Sequence, residues 1–213
     1  MSAAAKPRHV VILCHPDHDS FNAAVAEQYR SVAEENGQEA IIRDLYRMNF
    51  DPVLRSEEQP GSADFCASPE VVQELAILAD AAVVVFVYPL WFGSPPAMLK
   101  GYVERVLGSG FSFRAVKAND DGSRLAGKHL LSFTTSGNSQ IWLDEVGEWQ
   151  SLIQIFDRYL ERAFSMVSTE HVHFSSIVDG LSDRFFLQYM EEVRQAARKS
   201  CSIVADEHYR KQT

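Results

Sequence analysis

The sequence has few cysteines and no long apolar run. The chain has three cysteines, an odd number, which lie far apart at Cys14, Cys66 and Cys201. No C-x-x-C pair occurs. This usage suits a reducing environment better than an oxidising one, and a chain of this length requires no disulfide to stabilise its core. The longest apolar run, residues 81–87, is too short to cross a bilayer, and residues 1–9 contain no apolar signal-peptide core. We therefore expect a cytoplasmic protein with no membrane span.

An excess of basic residues is also absent. The chain has 20 Lys and Arg against 29 Asp and Glu, a net charge of -9 at pH 7. Because neutralisation of phosphates drives nucleic-acid affinity, this balance argues against nucleic acid as a partner, and against an anionic lipid surface for the same reason. A small patch could still bind one phosphate, since net charge says little about a single site.

The chain does contain an alternation of short apolar runs with helical stripes. Its 213 residues, 46% of them hydrophobic, are enough for a substantial core. Short apolar runs separated by helices predict a parallel sheet covered on both faces. The predicted strands are 10–14, 40–44, 81–88, 129–134 and 171–177, the last at a sheet edge, and the predicted helices begin near residues 21, 69, 94, 152 and 182.

Five such strands in this length favour the order 2-1-3-4-5, a flavodoxin-like three-layer, doubly wound α/β fold. We expect a single domain over residues 1–213, with residues 1–8 as a flexible N-terminus. A short extended piece at 111–113 and an exposed turn at 119–122 are also predicted.

In such a sheet, ligands bind beyond the carboxyl ends of the strands, near the switch point between strands one and three. The first loop there runs from His15 into a helix, whose N-terminus suits a phosphate; Ser20 and Asn22 add donors. The alternative is that Ser20 only caps the helix. The motifs G-x-x-x-x-G-K-[ST] and G-x-G-x-x-G are both missing, which argues against ATP and a dinucleotide-binding Rossmann site.

The loops after the third and fourth strands are also unusual. Two adjacent aromatic residues, Trp91 and Phe92, are unusual in a turn, which prefers small polar residues. They indicate a planar ligand, or else local packing over the sheet edge or a dimer contact. Residues 134–139 are small and polar, which lets the backbone approach a ligand and supplies hydrogen bonds. Three such loops at one sheet edge are a more specific signal of a binding site than any one loop alone.

Other candidate sites are weaker. His171 and His173 share one face of a predicted strand, but without a third ligand a surface pair is the better interpretation than zinc, and we expect no metal. Ser136 lacks the G-x-S-x-G context of a nucleophile. Cys14 is predicted to be a buried strand residue.

Together these segments resemble one family. Residues 13–16 with 20–22, 44–52, 88–93 with 96–101, and 134–137 are similar, in collinear order over residues 9–180, to the flavodoxin-like NAD(P)H:quinone oxidoreductases. That family includes DT-diaphorase, the modulator of drug activity proteins and the ancillary subunits of Kef potassium efflux systems.

The resemblance implies a flavin that carries the chemistry, so no catalytic side chain is assigned, and a homodimer whose partner chain completes the substrate pocket. One group of residues matches the part of the family's site that binds the flavin phosphate. A second matches the loop that lies along the isoalloxazine ring, and a third matches the loop at the other edge of that ring. These groups are His15, Ser20, Phe21 and Asn22; Pro89, Leu90, Trp91, Phe92 and Gly93; and Thr134, Thr135, Ser136 and Gly137.

The sequence departs from DT-diaphorase at two positions after Thr135. Its Tyr and His, proposed to assist hydride transfer, correspond to Trp142 and Glu148, so that assistance is not carried over; Trp142 and Gly137 are expected in the substrate pocket. The loop at residues 89–93 is one residue shorter, which favours FMN, with FAD as the alternative.

The leading hypothesis is two-electron hydride transfer from NAD(P)H through flavin N5 to a quinone or similar planar acceptor. An azo- or nitro-reductase would need the same site. Two hypotheses of a different class are a regulatory flavoprotein ancillary to a potassium-efflux transporter and a structural domain without a cofactor.

Overall fold

A parallel sheet of five strands in the order β2-β1-β3-β4-β5 forms the centre of the protein. We analysed a computed structural model, which describes residues 6–59, 62–109 and 125–210. The order matches the one predicted from sequence. The strands are β1 (Arg8–Leu13), β2 (Glu39–Asp44), β3 (Ala81–Pro89), β4 (His129–Thr135) and β5 (Ser168–Phe174).

Helices cover both faces of this sheet. Alternate residues of β1 explain why: Val10 and Ile12 belong to one apolar core, and Val11 and Leu13 to the other. The helices are α1 (Phe21–Glu35), α2 (Pro69–Ala79), α3 (Ala97–Tyr102), α4 (Gln140–Glu145), α5 (Glu148–Leu152), α6 (Arg158–Ala163) and α7 (Asp183–Arg210), with a 3-10 turn at Ser56–Glu58 and π-helical turns at Val103–Leu107 and Ile153–Asp157. Helices α1 and α7 cover one face, and α2, α3, α5 and α6 contribute to the core of the other.

Two predicted boundaries at the ends of the sheet were wrong. β5 begins at Ser168, three residues before the predicted start, because its first residues are polar and only half-buried at the sheet edge and so give no apolar signal. It ends at Phe174, since Ser176 takes a left-handed conformation with φ of 57°. Arg8, expected in a flexible N-terminus, is the first residue of β1.

The third predicted helix also begins later than expected. The backbones of Trp91 and Ser94 exchange two hydrogen bonds of 3.0 and 3.2 Å, which close a tight turn where residue 94 was predicted to start a helix. Helix α3 therefore begins at Ala97. The predicted pieces at 111–113 and 119–122 lie outside the described residues. Within the described ranges, no helix is long and apolar enough to cross a membrane.

Candidate functional site

The three loops expected to form a site converge at the carboxyl edge of the sheet. The Leu90 backbone N–H donates to the Thr135 carbonyl at 2.7 Å, which joins the second loop to the third. The Asn22 amide donates to the Thr135 hydroxyl at 3.0 Å, which joins the first to the third. The rings of His15 and Trp91 lie 5.9 Å apart between centroids, which joins the first to the second. The site is therefore one structure built from β1, β3 and β4.

Ser20 caps α1, as one of the two interpretations predicted. Its hydroxyl oxygen accepts from the Ala23 N–H at 3.2 Å, so its own proton stays available to a ligand at the helix N-terminus. His15 Nδ1 lies 3.1 Å from the backbone nitrogen of Asp17 and thereby shapes the same loop. The cap and an anion site are thus compatible functions of one residue.

The Phe21 ring belongs to an aromatic cluster on the other side of α1. It makes edge contacts with Phe174, Phe186 and Tyr189 at centroid distances of 5.5 to 5.9 Å. These contacts hold the helix N-terminus against β5 and α7. Phe21 was predicted as a cofactor-binding residue, and the contacts that the structure gives its ring are packing contacts.

Asn22 carries an unsatisfied polar atom. Its side chain is buried, 3% exposed, and while its Nδ2 donates to Thr135, its Oδ1 has no hydrogen-bond partner among the described residues. A buried acceptor without a partner is costly, about 1–3 kcal/mol, which points to a missing donor. A phosphate oxygen cannot donate, so the atom suits a hydroxyl or an N–H group.

The turn after β3 presents an aromatic ring to solvent. Phe92 has a φ of 52° and its side chain is fully exposed, at 107% of its reference area. A bulky residue in the left-handed region is strained, and strain of this kind clusters at functional sites. Gly93 follows with φ of 71°, and a Cβ there would stand 2.8 Å from Glu148 Oε1. The carboxylate of Glu148 therefore lies directly against this turn.

A cleft of about 620 Å³ opens between the second and third loops and α4–α5. This volume is typical of small-molecule sites. Its lining residues are Leu90, Phe92, Gly93, Ser136, Gly137, Asn138, Trp142, Leu143 and Glu148. Trp142 and Gly137, the expected substrate-pocket residues, both line it, and so does Glu148, whose role the sequence left open.

Behind the third loop is a hydrogen-bonded chain that the sequence did not reveal. The buried carboxylate of Asp157 lies in close hydrogen-bond contact with His171 Nδ1. His171 Nε2 is 2.7 Å from the Thr134 hydroxyl, which is 2.8 Å from His173 Nδ1. His173 Nε2 is 3.0 Å from the Ser136 hydroxyl, at the wall of the cleft.

The expectation of a surface histidine pair was wrong. The side chain of His171 is 5% exposed, and the ring of Trp149 packs against both His171 and His173, at centroid distances of 4.8 and 5.2 Å. Burial, with the nearby His171, lowers the pKa of His173 to about 4, so that ring is neutral near pH 7. Pairing of β4 with β5 places Thr134 opposite His173. This register connects the residues, and a single sequence carries no pattern that shows it.

The prediction about Cys14 can be compared with the structure. Cys14 is buried, as predicted, and burial raises the pKa of its thiol to about 12. Within the described part of the chain, no group of three His, Cys, Asp or Glu side chains is placed to hold a metal ion.

Comparison with known proteins adds to this geometry. Residues 7–200 match the sequence profile of a protein family whose description is "flavodoxin-like fold". A Haemophilus influenzae protein named uncharacterized NAD(P)H oxidoreductase is 33% identical over 172 residues, 80% of this chain and 83% of that protein. NAD(P)H dehydrogenase (quinone) 1 of Rattus norvegicus is 33% identical over 152 residues, 63% of this chain, and the match spans only 56% of the rat enzyme.

Solved structures share the fold. NAD(P)H:quinone oxidoreductase from Methanothermobacter marburgensis has a TM-score of 0.75 at 24% identity, covering 92% of this chain and 96% of that one. An FMN-dependent NADH-azoreductase from Bacillus anthracis, solved with FMN, has a TM-score of 0.65 at 18% identity and covers 91% of this chain and 99% of that one.

Fold and site thus define a flavodoxin-like α/β protein with an open cleft at the carboxyl edge of its sheet. The chain belongs to the flavodoxin-like fold family, and its relatives include proteins named NAD(P)H oxidoreductase and NAD(P)H dehydrogenase (quinone), in agreement with the sequence resemblance.

Proposed function

We propose that this protein is a flavin-dependent NAD(P)H oxidoreductase that reduces a quinone or similar planar acceptor by two electrons. One observation carries the proposal: the three loops after β1, β3 and β4 meet at the carboxyl edge of the sheet, and a cleft of about 620 Å³ opens between the second and the third. Where they meet, the buried Asn22 Oδ1 has no partner among the described residues. The named activities of the relatives support the same function.

The residues present fit a flavin mononucleotide. The N-terminus of α1, with Ser20 at its cap, would hold the phosphate. Asn22 Oδ1 would accept a hydrogen bond from a hydroxyl of the ribityl chain, which would supply the donor that this oxygen lacks. Residues 89–93 and 134–137 would frame the ring system, and the bound flavin would supply the two-electron chemistry that no side chain in the cleft offers.

The protein's own residues orient the substrates and exclude water. The aromatic surfaces of Trp91, Phe92 and Trp142 offer faces on which flat rings stack, and Gly137 lets a substrate approach the backbone of the third loop. A single cleft would serve NAD(P)H and the acceptor in turn. We therefore expect parallel initial-rate lines, and intersecting lines would contradict a shared cleft.

A second copy of the chain would complete this cleft. Three apolar side chains near the cleft are exposed: Phe92 at 107%, Trp142 at 45% and the adjacent Ile141 at 70%. Their contact with water is unfavourable, and a partner surface would remove it. We place the homodimer in the cytoplasm, where its cysteines would stay reduced.

The test is the visible absorbance spectrum of the purified protein mixed with FMN or FAD, recorded before and after anaerobic NADH or NADPH. We expect a bound-flavin spectrum that bleaches with one nucleotide and recovers when a quinone is added. If the flavin spectrum recovers faster with an azo dye than with any quinone, the acceptor is an azo compound and the protein is an azoreductase. Bound flavin that neither nucleotide bleaches would favour the regulatory hypothesis, and failure to bind flavin would overturn the proposal.

A further inference from the structure

The chain of hydrogen bonds behind the third loop has two self-consistent arrangements. Asp157 Oδ2 can only accept when ionised, so His171 Nδ1 carries a proton in both. If His171 is neutral, its Nε2 accepts from Thr134, Thr134 accepts from His173 Nδ1–H, and His173 Nε2 accepts from Ser136. Every partner is then used, and the Ser136 proton points at His173.

The second arrangement has one more proton. If His171 is protonated, its Nε2–H donates to Thr134, Thr134 donates to His173 Nδ1, and His173 Nε2–H donates to Ser136. The Ser136 hydroxyl then donates to the Asn138 carbonyl, 3.1 Å away, and Asn138 also lines the cleft.

The two arrangements differ by one proton released at Ser136. A base in the cleft takes the Ser136 proton, Ser136 takes the one from His173 Nε2, and His173 Nδ1 takes that of Thr134. Thr134 then takes the proton from His171 Nε2. Each hydroxyl loses one proton and gains one, His173 exchanges an Nε2–H for an Nδ1–H, and His171 ends neutral with one proton fewer. The reverse sequence refills the chain from water.

We propose that Ser136, His173, Thr134, His171 and Asp157 form a proton relay that delivers to the cleft the proton consumed in acceptor reduction. The relay rests on the proposed function, in which NAD(P)H, a proton and a quinone give NAD(P)+ and a hydroquinone. The hydride supplies two electrons and one proton, and the second proton must come from another source.

The surroundings of the relay suit transfer rather than storage at its cleft end. His173 has a pKa lowered to about 4, so it passes a proton on without holding charge. Asp157, 1% exposed, compensates the charge of a protonated His171 and also accepts from Ser132 at 3.0 Å. Tyr88 is a further titratable group near this carboxylate, and its pKa is raised by burial and by the charge of Asp157. The Trp149 ring covers the histidines.

The variant Asp157→Asn tests the relay, because it keeps a hydrogen-bond acceptor at His171 and removes the charge. We expect quinone reduction by the reduced, flavin-loaded variant to slow about 10- to 100-fold at pH 8, with less loss at pH 6. Reduction of ferricyanide, which takes electrons without a proton, should change less than about two-fold. His129→Gln is the matched control, since His129 lies on the same strand as Thr134 but bonds Ser168 and Glu207 at the opposite end.

A second measurement does not require turnover. Nitrogen-15 spectra of histidine-labelled protein without added flavin should show His171 protonated at Nδ1 and His173 neutral at pH 6, and Asp157→Asn should shift both. Equal loss with quinone and ferricyanide, an unchanged pH profile, or unshifted His173 would overturn the relay. If the parent is not reduced by NAD(P)H, the proposed function fails, and the nitrogen-15 shifts alone decide whether the two histidines are coupled.

Discussion

Asn22 and Thr135 are 113 positions apart in the sequence, yet their side chains share a 3.0 Å hydrogen bond at the centre of the site. This bond fixes the amide of Asn22, so its Oδ1 is held in one direction without a partner among the described residues. The first turn of α1 and the end of β4 therefore hold one buried acceptor in a fixed position.

Flavin affinity should report on that acceptor. Asn22→Ala removes it, and we expect the dissociation constant for FMN to rise about ten-fold, the effect of about one hydrogen bond to a buried group. Asn36→Ala, at the other end of the same helix, is the matched control and should leave affinity unchanged. Quenching of flavin fluorescence measures both. Equal affinity in Asn22→Ala and the parent would contradict the assigned site.

The exposed ring of Phe92 leads to a prediction about assembly. We expect the parent to sediment as a dimer and Phe92→Ser to shift it toward monomer, because the ring would lose its apolar partner surface. Val53→Ser removes a side chain that is also exposed, at 60%, but does not line the cleft, and should leave the mass unchanged. A monomeric parent across micromolar concentrations would contradict the dimer.

The three thiols should differ sharply in reactivity. Cys66 is exposed, whereas burial raises the pKa of Cys14 to about 12 and that of Cys201 to about 11. Because the thiolate is the nucleophile, we expect iodoacetamide to label one thiol per native chain at pH 7.5 and none in Cys66→Ser. Intact mass after timed labelling measures this, and labelling of the unfolded chain confirms that all thiols are free. Rapid native labelling of Cys66→Ser would show that β1 or α7 opens.

The sheet order and the meeting of three loops were predictable from sequence for a physical reason. Central strands such as β3 are buried on both faces and so are apolar throughout, and parallel strands bring their carboxyl ends to one edge. The relay was not predictable in the same way. It depends on the register of Thr134 against His173 and on Asp157, which reaches the sheet from a π-helical turn. Polar contacts between elements leave no periodic signal in a single sequence.

A buried ion pair between the 3-10 turn and the π-helical turn after α3 leads to the last prediction. Arg105 holds Glu58 through two bonds of 2.7 and 2.8 Å, and the two side chains are only 3% and 4% exposed. Glu58→Gln removes this charged partner and leaves the guanidinium with Glu70, 3.0 Å away, so we expect a loss of about 1.5–3 kcal/mol in the free energy of unfolding. Glu57→Gln, at the exposed neighbouring position, should change it by less than about 0.5 kcal/mol.

The same pair gives stability a defined pH dependence. Arg105 lowers the pKa of Glu58 to about 2 from the ordinary 4.5, so between these values the unfolded chain binds more protons than the native one. The stabilisation is therefore complete above about pH 5 and is lost as the pH falls toward 2. Urea unfolding at pH 7 and pH 4 measures it: the difference in stability between the parent and Glu58→Gln should shrink on acidification. A difference that stays constant down to pH 3 would mean that Glu58 has the same pKa in the native and unfolded states, so that Arg105 does not lower it.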